Sequence, residues 1–282
     1  MRRAWTIGVG AAALAIATGG VPAALAQPDE PAAAQDAAFT DARGLLEALE
    51  TAADDLRSLK AEIQYDRRFL LQGDRHVRRG MLYFAQRKRE DGLGMKRVFE
   101  VDFEVLYLGD RKEEDRQVWT FDGRWLVEKR PDKKQFIARE VAPPGADFDP
   151  LRLGEGPIPI PLGQEADSVL ERYDATLLPM TDGLDPKEDA SLVRFVEGGA
   201  GSWQLRLEPR SEDDDFEEIR LWYERGTLLP RMAMTTNRSG DVSVVQLAKV
   251  ARNIDLPPDV FKVTPPPMGS GWDTQIEEYR GE

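Results

Sequence analysis

From Ile63 onward, apolar and polar residues alternate along most of the chain; over 41–57, apolar residues recur every three or four positions. Leu45, Leu49, Ala52 or Ala53, and Leu56 share one helical face with acids between them. This predicts a helix over 41–57 with Thr40 or Asp41 as its N-cap. Ile63, Tyr65 and Leu71 alternate with Gln64, Asp66 and Arg68 in a first strand, and 80–86 belongs to a second. Phe99, Val101, Phe103, Val105 and Tyr107 against Glu100, Asp102 and Glu104 make the clearest half-buried strand.

Residues 118–141, VWTFDGRWLVEKRPDKKQFIAREV, read as three strands joined by two tight turns. Asp122-Gly123 closes the first hairpin, because its turn needs positive φ, and Pro131 pre-sets the second. With Phe121 opposite Arg124, Trp119, Phe121 and Leu126 share one face. Val118, Thr120, Trp125 and Val127 then share the other. Such a sheet normally keeps one face wet, so the second apolar face needs a cover.

Residues 142–163, APPGADFDPLRLGEGPIPIPLG, carry too much proline and glycine for a helix or a central strand. Leu151, Leu153, Ile158, Ile160 and Leu162 make the stretch too apolar for a free linker, so it reads as an ordered cover. A short helix over 165–177 follows, with Val169, Leu170 and Tyr173 on one side. Strands are then predicted near 191–197, 202–208, 217–224, 227–236 and 241–252. No linker composition interrupts 39–264, which reads as one domain, followed by a loose acidic tail over 265–282.

The chain opens MRRAWTIGVGAAALAIATGGVPAALAQ: two arginines, an apolar run, and Ala24-Leu25-Ala26 as a cleavage site. Residues 1–26 read as a signal peptide, ordinary secretion fitting better than twin-arginine export, and 27–38 as a flexible mature N-terminus. No later stretch is long and apolar enough to span a membrane as a helix. With no cysteine, the exported chain has no disulfide, no thiolate nucleophile and no cysteine metal site. Loss of Arg2 and Arg3 with the leader takes the net charge from −13 to −15, which disfavours nucleic acid as a partner. The acidic run 212–215 reads as a solvated turn.

Catalytic chemistry is poorly represented. His76 is the single histidine, placed among arginines near a strand end. No nucleophile elbow, zinc-protease motif, phosphate loop or dinucleotide fingerprint occurs, and no pair stands out among the many acids. No enzyme activity, cofactor or metal is expected. Trp119, Trp125, Trp203 and Trp222 fall in strands and read as core.

The order of parts resembles the periplasmic outer-membrane lipoprotein carriers, the LolA-like family. The stretches that carry the resemblance are LLEALETAADDLRSLKAEIQY (45–65), GMLYFAQRK (80–88), WTFDGRWLVEKRPDKKQF (119–136) and LPPDVFKVTPP (256–266). The resemblance implies a mostly β fold with few helices. Its strongly curved, open antiparallel sheet would have about eleven strands, with helices stoppering the concave side. It also implies acylated lipoprotein or lipid cargo, an inner-membrane donor, an outer-membrane acceptor and a monomeric periplasmic carrier. Phe99, Val101 and Phe103, extended by Trp119, Phe121 and Leu126, would line the concave face opposite Leu45, Leu49 and Leu56. Leu153, Ile158 and Ile160 would form the lid. Family carriers latch that lid with an arginine of an arginine-proline pair; Arg87 lies near that position without the proline. The alternative is a non-enzymatic envelope sensor or structural module whose core is filled by its own side chains and which binds a protein partner. An apolar hollow on the order of several hundred Å³ separates the two readings.

Overall fold

The computed structural model describes residues 39–89, 94–141, 151, 153, 158–160 and 162–279, all within one compact unit, Ala33–Glu282. The segment 1–26, read as a signal peptide, and the stretch 27–38 lie outside the described residues. Helix α1 is Ala42–Asp54, capped by the Asp41 carboxylate, which accepts from Gly44 N at 2.9 Å. Six strands follow: β1 (Ser58–Phe69), β2 (Asp74–Lys88), β3 (Met95–Leu108), β4 (Arg111–Phe121), β5 (Trp125–Arg130) and β6 (Gln135–Glu140). Helix α2 (Ala166–Arg172) leads into β7 (Tyr173–Leu178), and α3 (Ala190–Glu197) precedes β8 (Ser202–Pro209). Then come β9 (Phe216–Glu224), β10 (Pro230–Asn237), β11 (Val242–Arg252) and β12 (Asp273–Glu277).

All twelve strands join one open, curved sheet in the order β12-β6-β5-β4-β3-β2-β1-β11-β10-β9-β8-β7. The eleven from β6 to β7 form a continuous antiparallel series, and β12 adds to β6 in parallel. Edges β12 and β7 do not pair, so no barrel closes. The first hairpin pairs Phe121 with Leu126 rather than Arg124, one step wider than the tightest register. The Asp122 carboxylate accepts from Arg124 N and Trp125 N at 2.9 and 2.8 Å, and Gly123 takes φ 100°. Slipping both strands by one residue preserves which side chains share a face, so the two apolar faces stand as expected.

Both faces are covered. On the front, α1 and α2 pack over β7–β10 through Leu45, Leu46, Leu49 and Val169. Leu56, Leu151, Ile158, Ile160 and Leu162 pack over β1–β4. On the back, Leu192 and Val196 of α3 cover Trp222, Met232 and Val244. The C-terminal segment covers the other half of that face. Val260 and Phe261 sit on Ala85 and Val98, and Val263 and Trp272 on Val127, Phe136 and Ala138. Within this back layer, burial pushes the Glu100 carboxyl up while the carboxylate accepts from Thr120 Oγ1 at 3.0 Å.

Several elements differ from the sequence reading. Residues 191–197 are helical, not a strand: Leu192 and Val196 lie four apart on one buried stripe, and Ser202 Oγ and Arg231 Nε donate to the terminal carbonyls of Val196 and Phe195. The helix predicted over 165–177 ends at Arg172, and Tyr173 begins an edge strand. Leu71 lies beyond β1 in an exposed turn. The tail after 265, read as loose, supplies β12.

Candidate functional site

The apolar heart of the front face is a layer of large side chains from adjacent strands. Phe99, Val101 and Phe103 come from β3, Leu82 and Phe84 from β2, Leu59 and Ile63 from β1, and Phe121 from β4. All are at most 2 % exposed. Trp119 and Leu126 pack against this layer, partly buried, and Phe103 stacks on Tyr65 with ring centroids 6.3 Å apart. The predicted stripe continues only to Phe103. Register shifts at Arg79/Gly80 and at Phe103/Val105 rotate β3, so Val105 turns to the back face beside Arg79 and Leu106 is buried instead.

What faces this layer is an irregular segment. Ile160 N donates to Ile158 O, and Leu162 N to Ile160 O, each at 2.9 Å. These local bonds occupy the amides of Ile160 and Leu162, and both residues meet the sheet through their side chains. The buried Gln164 ties it together: its Nε2 donates to Leu151 O at 2.8 Å and Leu162 O at 3.1 Å, and its Oε1 accepts from Leu153 N at 3.3 Å. Arg97 Nη1 reaches Leu162 O at 3.5 Å. Gly163 takes φ 60°, and a Cβ there would stand 2.5 Å from the Arg97 guanidinium, so only glycine admits this contact.

The predicted site residues therefore fall into two neighbouring clusters. Phe99, Val101, Phe103, Phe121 and Leu56 meet Ile158 and Ile160 in one, with Trp119 and Leu126 at its margin. Leu45, Leu49 and Leu153 belong to the other, under the helices. Arg87 meets neither: its guanidinium stacks over Phe261, 4.8 Å from the ring centroid, on the back of the sheet. The alternation of β2 puts Arg87 with Tyr83 and Ala85, opposite Leu82 and Phe84, which is the physical reason it cannot touch the front cover. Gln164 and Arg97 were not singled out from the sequence. Gln164 follows Gly163 at the end of the Pro-rich stretch, and that position was the one available signal.

Among the described residues, three hollows adjoin these layers. Between α1 and the cover, Leu49, Leu56, Leu162, Tyr223 and Leu228 enclose only about 30 Å³. At the far end of the front face, past Phe103 and Trp119, a polar hollow of about 340 Å³ opens. On the back, between α3 and β1–β3, a groove of about 500 Å³ is crossed by hydrogen bonds from Arg79 to Gln64 and from Gln64 to Gln246, each 2.8 Å.

No protein-family model matches the sequence, and no curated protein matches it. Among solved structures, it is similar to an uncharacterised conserved protein from Thermus thermophilus, at 12 % identity over 84 % of this chain and 99 % of that one, TM-score 0.43. A LolA superfamily protein from Nitrosomonas europaea overlaps 79 % of this chain and 98 % of its own, at 12 % identity and TM-score 0.28. The MucA/MucB complex structure of Pseudomonas aeruginosa overlaps 77 % of this chain and 59 % of its own, at 17 % identity and TM-score 0.38. At this level of similarity, function rests on the site.

Proposed function

We propose that the protein is a LolA-like, non-catalytic carrier that binds acyl chains of lipoproteins or lipids on the front face of β1–β4, in the place occupied by Ile158, Ile160 and Leu162. The observation that carries this reading is the cover itself. A phenylalanine-rich sheet face is filled by aliphatic side chains, and the amides of Ile160 and Leu162 bond locally, so lifting these residues breaks no ladder bond of those two amides. An acyl chain offers the same aliphatic surface, worth about 0.8 kcal/mol per buried CH₂. Binding is then an exchange of one aliphatic filler for another. The affinity is the intrinsic one reduced by the fraction of molecules with the cover displaced. Release follows where an acceptor holds the chain more strongly. Export through the signal peptide, a periplasmic location, a monomeric state, a donor at the inner membrane and an acceptor at the outer membrane complete the proposal. Among the described residues no helix is long and apolar enough to cross a membrane.

A second reading is favoured by one observation, the closure of the hollow under α1 to about 30 Å³. A module with a self-filled core, recognising a protein partner, would look the same. Native mass spectrometry of the mature protein purified from its own cell separates the two. The carrier reading expects acylated peptide or lipid adducts; a bare mass, with no uptake of added acyl ligand, supports the module.

A further inference from the structure

The front face changes character beyond Phe103 and Trp119. The same strands there carry Arg67 on β1, His76 and Arg78 on β2, and Arg130 at the end of β5, around the hollow of about 340 Å³. Its floor is the margin of the apolar cluster: Phe103 and Ile158 belong to both, and Tyr65 and Trp119 pack on that cluster. The hollow is thus continuous with the surface proposed to hold an acyl chain.

Its charges do not cancel. Arg78 Nη2 donates to Asp115 Oδ2 at 2.6 Å, and Lys133 approaches the same carboxylate at 3.3 Å. Arg130 Nε donates to Glu128 Oε1 at 2.7 Å, and Gln117 Nε2 donates to the same oxygen at 2.6 Å. Two carboxylates therefore serve three cations, and Arg67 makes a fourth. Among the described residues Arg67 has no carboxylate within ion-pair distance; its guanidinium lies over Phe69, 4.8 Å from the ring centroid. On a chain of formal net charge −13, a concave site with surplus cations attracts an anion.

We infer that this hollow receives the anionic head of an amphiphile whose tail lies along the Phe99–Phe103 surface, with Arg67 as the principal contact to the head. The inference rests on the acyl-binding reading and names its ligand class. A guanidinium offers two parallel N–H donors to phosphate or carboxylate oxygens. Arg78 and Arg130 are fixed by their carboxylates and shape the walls, which leaves Arg67 to engage the ligand. A free phosphate would use the same donors without the tail.

Two fluorescent probes with one acyl chain, one ending in a phosphate monoester and one in a neutral glycerol ester, test this on the mature protein. The phosphate probe should bind more tightly. The ratio of the two affinities should fall about fivefold in Arg67→Gln and shrink as salt rises. Inorganic phosphate at the probe's concentration should not displace it. Equal affinities, or a ratio untouched by Arg67→Gln, overturn the inference and leave the acyl reading standing. Displacement by inorganic phosphate assigns the site to a free anion and likewise overturns it. If neither probe binds the folded protein, the acyl reading itself fails and the inference with it.

Discussion

At Gly80 the backbone of β3 comes so close that a Cβ there would stand 1.8 Å from Asp102 O. Glycine at this bulge lets the strands keep pairing while the alternation of β3 shifts. The shift explains why the stripe read from the sequence holds for Phe99, Val101 and Phe103 and fails at Val105. Alternation is written in the residue order; a bulge is not. Asp115 shows the same scale in its electrostatics. Burial alone would raise its carboxyl, but the hydrogen bonds and charges of Arg78 and Lys133 outweigh that and hold it below the ordinary value of 3.8. A depressed carboxylate stabilises the fold above its unfolded pKa, and that contribution disappears as pH falls through the folded pKa. Asp115→Asn should therefore melt below the parent at neutral pH, with the gap closing below about pH 4. Thermal melts from pH 3 to 7 measure it, and a gap independent of pH would contradict the pairing.

At the scale of elements, the meander, α1 and the position of the cover were legible because period-two and period-3.6 patterns, turn residues and a Pro-rich break all leave marks in the sequence. Helix α3 was not. SLVRFVE satisfies both periods, and only its packing on Trp222, Met232 and Val244 selects the helix. The 256–272 segment was also read too weakly, since Val260, Phe261, Val263 and Trp272 are spaced irregularly and bury without forming one regular element. It covers the second apolar face noted in the 118–141 hairpins, while α3 covers the other half of the sheet's back. The front cover depends instead on Gln164, whose side chain satisfies two carbonyls and one amide in a buried place. Gln164→Ala removes those three hydrogen bonds, at about 0.5–1.5 kcal/mol for each. Hydrogen exchange should then speed up at residues 158–164 while β3 stays protected. Uniform acceleration across the sheet would mean that the cover and the core unfold as one.

At the scale of the molecule, one sheet carries two differently covered faces. The back is covered by α3 and the C-terminal segment, with a groove of about 500 Å³ left between α3 and β1–β3, and the front half over β1–β4 is covered by the segment that carries Leu151, Ile158, Ile160 and Leu162. Exchange of that segment for an acyl chain is the central claim, and it predicts competition between the two. The most direct measurement titrates a neutral-headed acyl fluorescent probe into the mature protein and into Ile158→Ala/Ile160→Ala, with circular dichroism to verify that both are folded. Weakening the cover raises the fraction of molecules able to bind, so the variant should bind more tightly, by about tenfold. Equal or weaker binding by a folded variant would contradict the account and leave the front face as ordinary core.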